Sequence, residues 1–303
     1  MLLLLLLSQG LPKQLRCYAG EKAILITFPA YMQQKPFGYT NRRASFFYRL
    51  DSLTIQLNIL IMPFSAQLLP DLEENLRRRS NGDPLAGLTW LAEKFAGAAV
   101  FSTSFGIEDQ VISHLIFSHN LPIRVFTLDT GRNFQETYST WSRTIERYRK
   151  PIETYTPQAT ALEQFLAEKG PNSFYDSVEN RKACCQIRKV EPLGRALAGQ
   201  QLWVTGIRAE QSPNRLDMKS LEWDGGHQLI KFHPLFDWTF EQVRAYVREH
   251  NIPYNSLHDK GFVSIGCAPC TRAIQPGEDF RAGRWWWEDA SKKECGLHVA
   301  AAH

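Results

Sequence analysis

The chain has no long hydrophobic run. Its longest stretch, Leu2 to Leu7, is far short of the ~20 apolar residues that span a bilayer, which argues against a membrane-spanning protein. A secretory signal is equally unsupported, because the leucines follow Met1 directly with no basic segment before them. Cysteine is scarce, with 6 in 303 residues, so no disulfide scaffold holds a chain of this size. There is no internal repeat and no low-complexity tract. With 44% hydrophobic and 22% charged residues the chain is neither fibrous nor disordered.

Acidic residues are sparse at the front. Residues 1–61 hold seven Lys/Arg against Glu21 and Asp51, and the rest of the chain is close to neutral. The formal net charge of +4 therefore reflects the front of the chain and gives no basic field for nucleic acid. Residues 1–61 show no sustained period and read as an extension of doubtful structure. The simplest expectation is a protein that starts at Met62, where a polar, well-capped stretch begins. Residues 62–290 then form the main domain and 291–303 a tail.

From Asp71 to Phe95 the apolar spacing predicts two amphipathic helices broken at Asn81-Gly82-Asp83-Pro84, packed on a sheet edge. Strand-like runs at Ala98–Ser102, Arg124–Leu128 and Gln201–Thr205 then alternate with helical stretches from about Glu108 to His119, Phe134 to Tyr148 and Arg188 to Ala198. Such alternation predicts a parallel α/β sheet flanked by helices, whose ligands bind at the carboxyl ends of the strands. The loops there are Ser102-Thr103-Ser104-Phe105-Gly106, Leu128-Asp129-Thr130-Gly131-Arg132 and Gly206-Ile207-Arg208, the last running on to Ser212-Pro213-Asn214-Arg215. Small hydroxyl residues and glycine at a helix start make an anion site, and two of the loops add arginine.

Cys184 and Cys185 are adjacent, and Cys267 and Cys270 form a C-x-x-C. Four thiolates suit zinc or an iron–sulfur cluster, and spacing does not choose between them. Cys295 stands among Lys292, Lys293 and His298, cations that favour a nucleophilic thiolate. Of Trp285-Trp286-Trp287 at least two are expected to pack, since consecutive side chains cannot share a face. Arg281 and Arg284 would face one anion if their segment were helical. His227, His233 and His250 have no ligand-like spacing and read as structural or exposed.

The set Cys184-Cys185, Cys267-x-x-Cys270 and Lys293-Glu294-Cys295-Gly296-Leu297-His298 resembles the assimilatory adenylyl-sulfate reductases, within the phosphoadenylyl-sulfate/adenylyl-sulfate reductase family. Ser102–Gly106, Leu128–Arg132, Thr205–Arg208, Pro234–Trp238 and Gly283–Glu288 extend the resemblance over about 98–298. It implies an adenine nucleotide α-hydrolase-like (PP-loop/HUP-like) fold with a cysteine-bearing C-terminal tail. It further implies reduction of adenylyl sulfate to sulfite and AMP, for sulfate assimilation and cysteine biosynthesis in the cytoplasm. Cys295 would be the nucleophile that becomes an S-sulfocysteine, and thioredoxin, a separate protein since no such domain follows His298, would release sulfite. Cys184, Cys185, Cys267 and Cys270 would hold a [4Fe-4S] cluster. Lys189, Arg281, Arg284 and His298 would contact the sulfate group, and Ser102, Ser104, Leu128, Gly206 and Arg208 the nucleotide. Alternatives are the 3′-phosphorylated substrate or a zinc-stabilised module without activity. A tRNA-modifying pyrophosphatase of the same fold would need S-G-G-x-D-S where this chain has Ser102–Gly106. No nucleic acid or membrane partner is expected, and assembly into a homo-oligomer is left open.

Overall fold

A computed structural model divides the chain into two units, Met1–Pro63 and Phe64–His303. It describes residues 65–211 and 218–289 in full, and in residues 14–59 the backbone of four strands. In the first unit β1 (Gln14–Ala19) pairs antiparallel with β2 (Lys22–Thr27), and β3 (Ala44–Leu50) with β4 (Leu53–Ile59). The irregular periodicity of residues 1–61 does not announce these two pairs.

The second unit opens with α1 (Leu69–Ser80) and α2 (Pro84–Lys94). The break between them is local chemistry. Asn81 takes the left-handed conformation that ends α1, and the Asp83 carboxylate accepts from the N–H groups of Leu85 and Ala86 while Pro84 occupies the first turn of α2. There follow β5 (Ala99–Ser102), α3 (Ile107–Ser118), β6 (Arg124–Leu128), α4 (Gln135–Tyr148), β7 (Glu153–Tyr155), α5 (Ala159–Lys169) and α6 (Val178–Cys185). A π-helical turn at Gln186–Val190 leads into α7 (Glu191–Leu197), then β8 (Leu202–Val204), β9 (Leu221–Asp224), β10 (Leu229–Phe232) and α8 (Phe240–Glu249).

One six-stranded sheet runs in the order β7-β6-β5-β8-β10-β9. Every neighbouring pair is parallel except β9–β10, so the sheet is parallel with one antiparallel edge strand, against which α1 packs. Both faces are covered, and successive residues go to opposite cores. Phe101, Val204 and Ile230 join one core with Leu88, Val111 and Ile112; Val100, Trp203 and Leu229 join the other with Leu193 and Leu197. From β5 the chain steps to β6 and β7 on one side, then crosses to β8 on the other. The loops after β5 and β8 therefore part at a topological switch point, where α/β sheets bind ligands.

Candidate functional site

At the switch point two carboxylates, Glu108 and Asp109, stand in the first turn of α3. Asp109 Oδ2 accepts from Ser104 N at 2.6 Å and Ser104 Oγ at 2.7 Å, and Ile107 N donates to His258 Nε2 at 3.2 Å. The donors expected to form an open anion cradle thus already serve the chain's own acceptors. Burial pushes the Asp109 carboxyl up to about 6 against the Ser104 bonds that stabilise its anion, with neighbouring Glu108 adding to the rise. Gly206 closes on it from β8. A Cβ there would stand 2.2 Å from Asp109 Oδ1, so the site demands glycine.

Arg208 is fully buried. Its Nε donates to Glu108 Oε1 at 2.9 Å and its Nη1 to Glu210 Oε2 at 2.6 Å, while Nη2 has no hydrogen-bond partner among the described residues. Ser102 Oγ accepts from Trp203 Nε1 at 2.8 Å, and half-buried Leu128 ends β6 beside the second core. Ser104, Gly206 and Arg208 are thus drawn together around the carboxylates at the start of α3.

A second concavity lies where the β6–α4 loop meets α6. Cys184 and Cys185 end α6, whose start is capped by the Ser177 hydroxyl, and Cys267 and Cys270 flank a short turn. All four thiols line one cleft with Arg132, Arg181, Arg188, Lys189 and Arg284. The thiols differ in acidity even within the C-x-x-C pair. Burial pushes Cys270 up to about 12, helped by the charge of Cys267, and raises Cys184 as well. Burial also pushes Cys267 up, but Lys189, the Thr130 hydroxyl 3.3 Å from its sulfur, Arg284 and Arg188 outweigh it and leave this thiol below the usual cysteine value. Arg188 Nη1 donates to Thr130 O at 2.6 Å.

The donor set fits an anionic, sulfur-ligated group. Four soft thiols face five cations, and three buried N–H groups, Arg188 Nε, Arg284 Nε and Trp285 Nε1, have no hydrogen-bond partner among the described residues.

The tryptophans split as their adjacency dictates. Trp285 is buried, with the guanidinium carbons of Arg284, Arg181 and Arg281 at 4.7, 4.9 and 5.9 Å from its ring centroid. Trp287 packs on Tyr175 and Phe174, and Trp286 is 40% exposed. Residues 281–284 form a turn and not a helix, and the guanidiniums of Arg281 and Arg284 both lie over the Trp285 ring. Arg284 also fills the space beside Gly266, where a Cβ would come within 2.3 Å of Nη2. His233 is buried between Thr205 Oγ1 at 2.7 Å and Glu222 Oε2 at 3.2 Å, a structural placement, and His227 and His250 contact Asp224 and His114. Cys295, His298 and Ser212–Arg215 lie outside the described residues.

Several residues at these sites escaped sequence reasoning: Glu108 and Asp109, Thr130, His258, and the pair Arg181 and Glu288. Acidic residues in the first turn of a helix are common, so Glu108 and Asp109 carry no distinctive signal in the sequence.

The Phosphoadenosine phosphosulfate reductase domain family matches residues 98–273. A protein of Agrobacterium fabrum named adenosine 5′-phosphosulfate reductase is 52% identical over 221 residues, 73% of this chain and 85% of its own. One of the same name from Allochromatium vinosum is 53% identical over 199 residues, 66% of this chain and 78% of its own. Among solved structures, a phosphoadenylyl-sulfate reductase of Candida auris in complex with phosphate superposes with a TM-score of 0.58 at 27% identity, covering 70% of this chain and 99% of that one. The matched region carries the crevice loops and all four cleft thiols, and the chain belongs to the phosphoadenosine phosphosulfate reductase domain family.

Proposed function

We propose that the chain reduces adenylyl sulfate to sulfite and AMP with electrons from thioredoxin, through a sulfonated Cys295. One observation carries the reading: a single loop joins the two concavities. Leu128 opens it at the strand end, and Thr130 and Arg132 close it in the thiol cleft, where Thr130 meets Cys267 and Arg188. A nucleotide seated at the switch point would thereby direct its sulfate toward the cationic cleft.

The adenosine end meets Leu128, Ser102, Ser104, Gly206 and Arg208, with Arg208 held rigid by Glu108 and Glu210. The sulfate end meets cations from Lys189, Arg281 and Arg284, joined by His298, and these offset charge on the departing AMP oxygen. Seven residues, at most ~25 Å of extended chain, separate Cys295 from Glu288. Its thiolate attacks the sulfate sulfur, the bond from sulfur to the bridging oxygen breaks, and AMP leaves with that electron pair. A thioredoxin thiolate then attacks Cys295 Sγ, sulfite departs, and the second thioredoxin thiol resolves the mixed disulfide. The two electrons come from the dithiol.

Cys184, Cys185, Cys267 and Cys270 would hold a [4Fe-4S] cluster, which supplies a polarising charge beside the sulfate site. The four free thiols suit a reducing, cytoplasmic setting. Among the described residues no helix is long and apolar enough to cross a membrane. The test is sulfite release by anaerobically purified protein with thioredoxin, adenylyl sulfate and its 3′-phosphorylated form being compared at equal concentration. Faster release from adenylyl sulfate is expected; preference for the 3′-phosphate would reassign the substrate, and sulfite from neither would overturn the reading.

A further inference from the structure

Arg181 precedes Cys184 and Cys185 by three and four residues on α6, so the three side chains share one helix face. Its side chain is fully buried and meets Glu288, 4% exposed, in a two-point fork: Nε to Oε1 at 2.9 Å and Nη2 to Oε2 at 2.7 Å. The same guanidinium lies 4.9 Å from the Trp285 ring centroid and donates to Cys185. Glu288 N donates to Trp285 O, Trp285 N donates to Cys270 O, and Arg272 N donates to Gly283 O. An unbroken path of contacts thus runs from Cys185 through Arg181, Glu288 and Trp285 to Cys270, joining the two cysteine pairs that sequence keeps far apart.

We infer that Arg181 and Glu288 form a latch that seats the Trp285 segment against the cysteine helix while presenting a cation to Cys185, which makes them positioning residues for the sulfur-ligated group. This rests on the cluster reading proposed above. The two partners are not equivalent. Neutralising Glu288 leaves a cation facing an anionic group, whereas neutralising Arg181 leaves a buried carboxylate at the same cleft. A pair that served only the fold would make the two losses alike.

The experiment compares Arg181→Gln, Glu288→Gln, the double variant and Arg181→Lys in the full chain, purified anaerobically. Iron release to a chelator and the thermal midpoint are followed. Arg181→Gln should release iron about tenfold faster than the parent, and Glu288→Gln should stay within about threefold of it. The double variant should fall between them, and Arg181→Lys should restore iron retention while its thermal midpoint stays low, because charge returns without the fork. Should Arg181→Gln not fold, the double variant against Glu288→Gln gives the same contrast. Equal release from both single variants, or parent-like release from all, would overturn the latch. A parent protein that binds no iron would instead remove the cluster reading itself, and the latch with it.

Discussion

The switch-point crevice and the thiol cleft both gather buried charge, but they balance it differently. In the crevice one cation, Arg208, is shared by two carboxylates, Glu108 and Glu210, and a third carboxylate, Asp109, is held by the Ser104 donors. In the cleft, five cations face four thiols and one carboxylate, Glu288, and three N–H groups have no hydrogen-bond partner among the described residues. A crevice whose polar groups already hold one another is built before its ligand arrives, and reads that ligand by shape and hydrogen bonds. A cleft that leaves cations over is complete only with an anion.

The largest effect should come from breaking the cleft alone. Cys267→Ser removes the thiol that Lys189, Thr130, Arg284 and Arg188 favour as thiolate. Iron retention and the rate of sulfite release should both fall by more than the ~10–100-fold typical of residues behind the ligands, while AMP binding, measured by calorimetry, stays close to the parent's. Loss of AMP binding would show that the two concavities are one site. The converse is Gly206→Ala, whose Cβ would meet Asp109 Oδ1 at 2.2 Å. Overpacking of this kind costs about 1–3 kcal/mol, so AMP affinity and thermal midpoint should both drop with iron content unchanged.

Those contrasts also explain what the sequence made legible. The helix break at Asn81–Pro84 and the strands at Ala99–Ser102 and Arg124–Leu128 are local signals, fixed by a capping aspartate, a proline and apolar runs. β7 and β10 were not legible because they are short and carry charge: Lys231 is buried in β10 against Asp224 on β9 at 2.7 Å and the Trp203 ring on β8. Strands with buried charge are set by pairing, which no local pattern records. The four cysteines were visible by spacing, yet the cations around them come from four separate segments. Ser104 was legible as part of a nucleotide-binding loop, but its partner Asp109 was not, being five residues on across a turn that Phe105 makes with φ +60°.

Acid sharpens the comparison through two groups of opposite sign. His114, outside both concavities, is held down to about 4 by burial, with His250, Arg147 and His119 as like charges and Tyr148, Tyr246 and Ser118 packed around it. Its unfolded value is the ordinary 6.5, so its contribution to stability is full above 6.5 and is lost as the pH falls toward 4. The thermal midpoint should therefore decline below pH 6.5, and His114→Gln should flatten that part of the curve. A parallel curve in the variant would assign the decline elsewhere.

Asp109 is raised to about 6, so it protonates in the fold before it does in the unfolded chain, and it opposes His114 between pH 6 and its ordinary 3.8. The effect expected on binding is smaller but more telling. As the pH falls through about 6 the crevice loses a negative charge, so AMP affinity should rise a few-fold more steeply in the parent than in Asp109→Asn, which keeps an acceptor for Ser104 without the charge. Subtracting the two profiles cancels the titration of AMP itself. If the slopes coincide, Asp109 is screened from the nucleotide; if they part at pH 6, its charge is one the ligand feels.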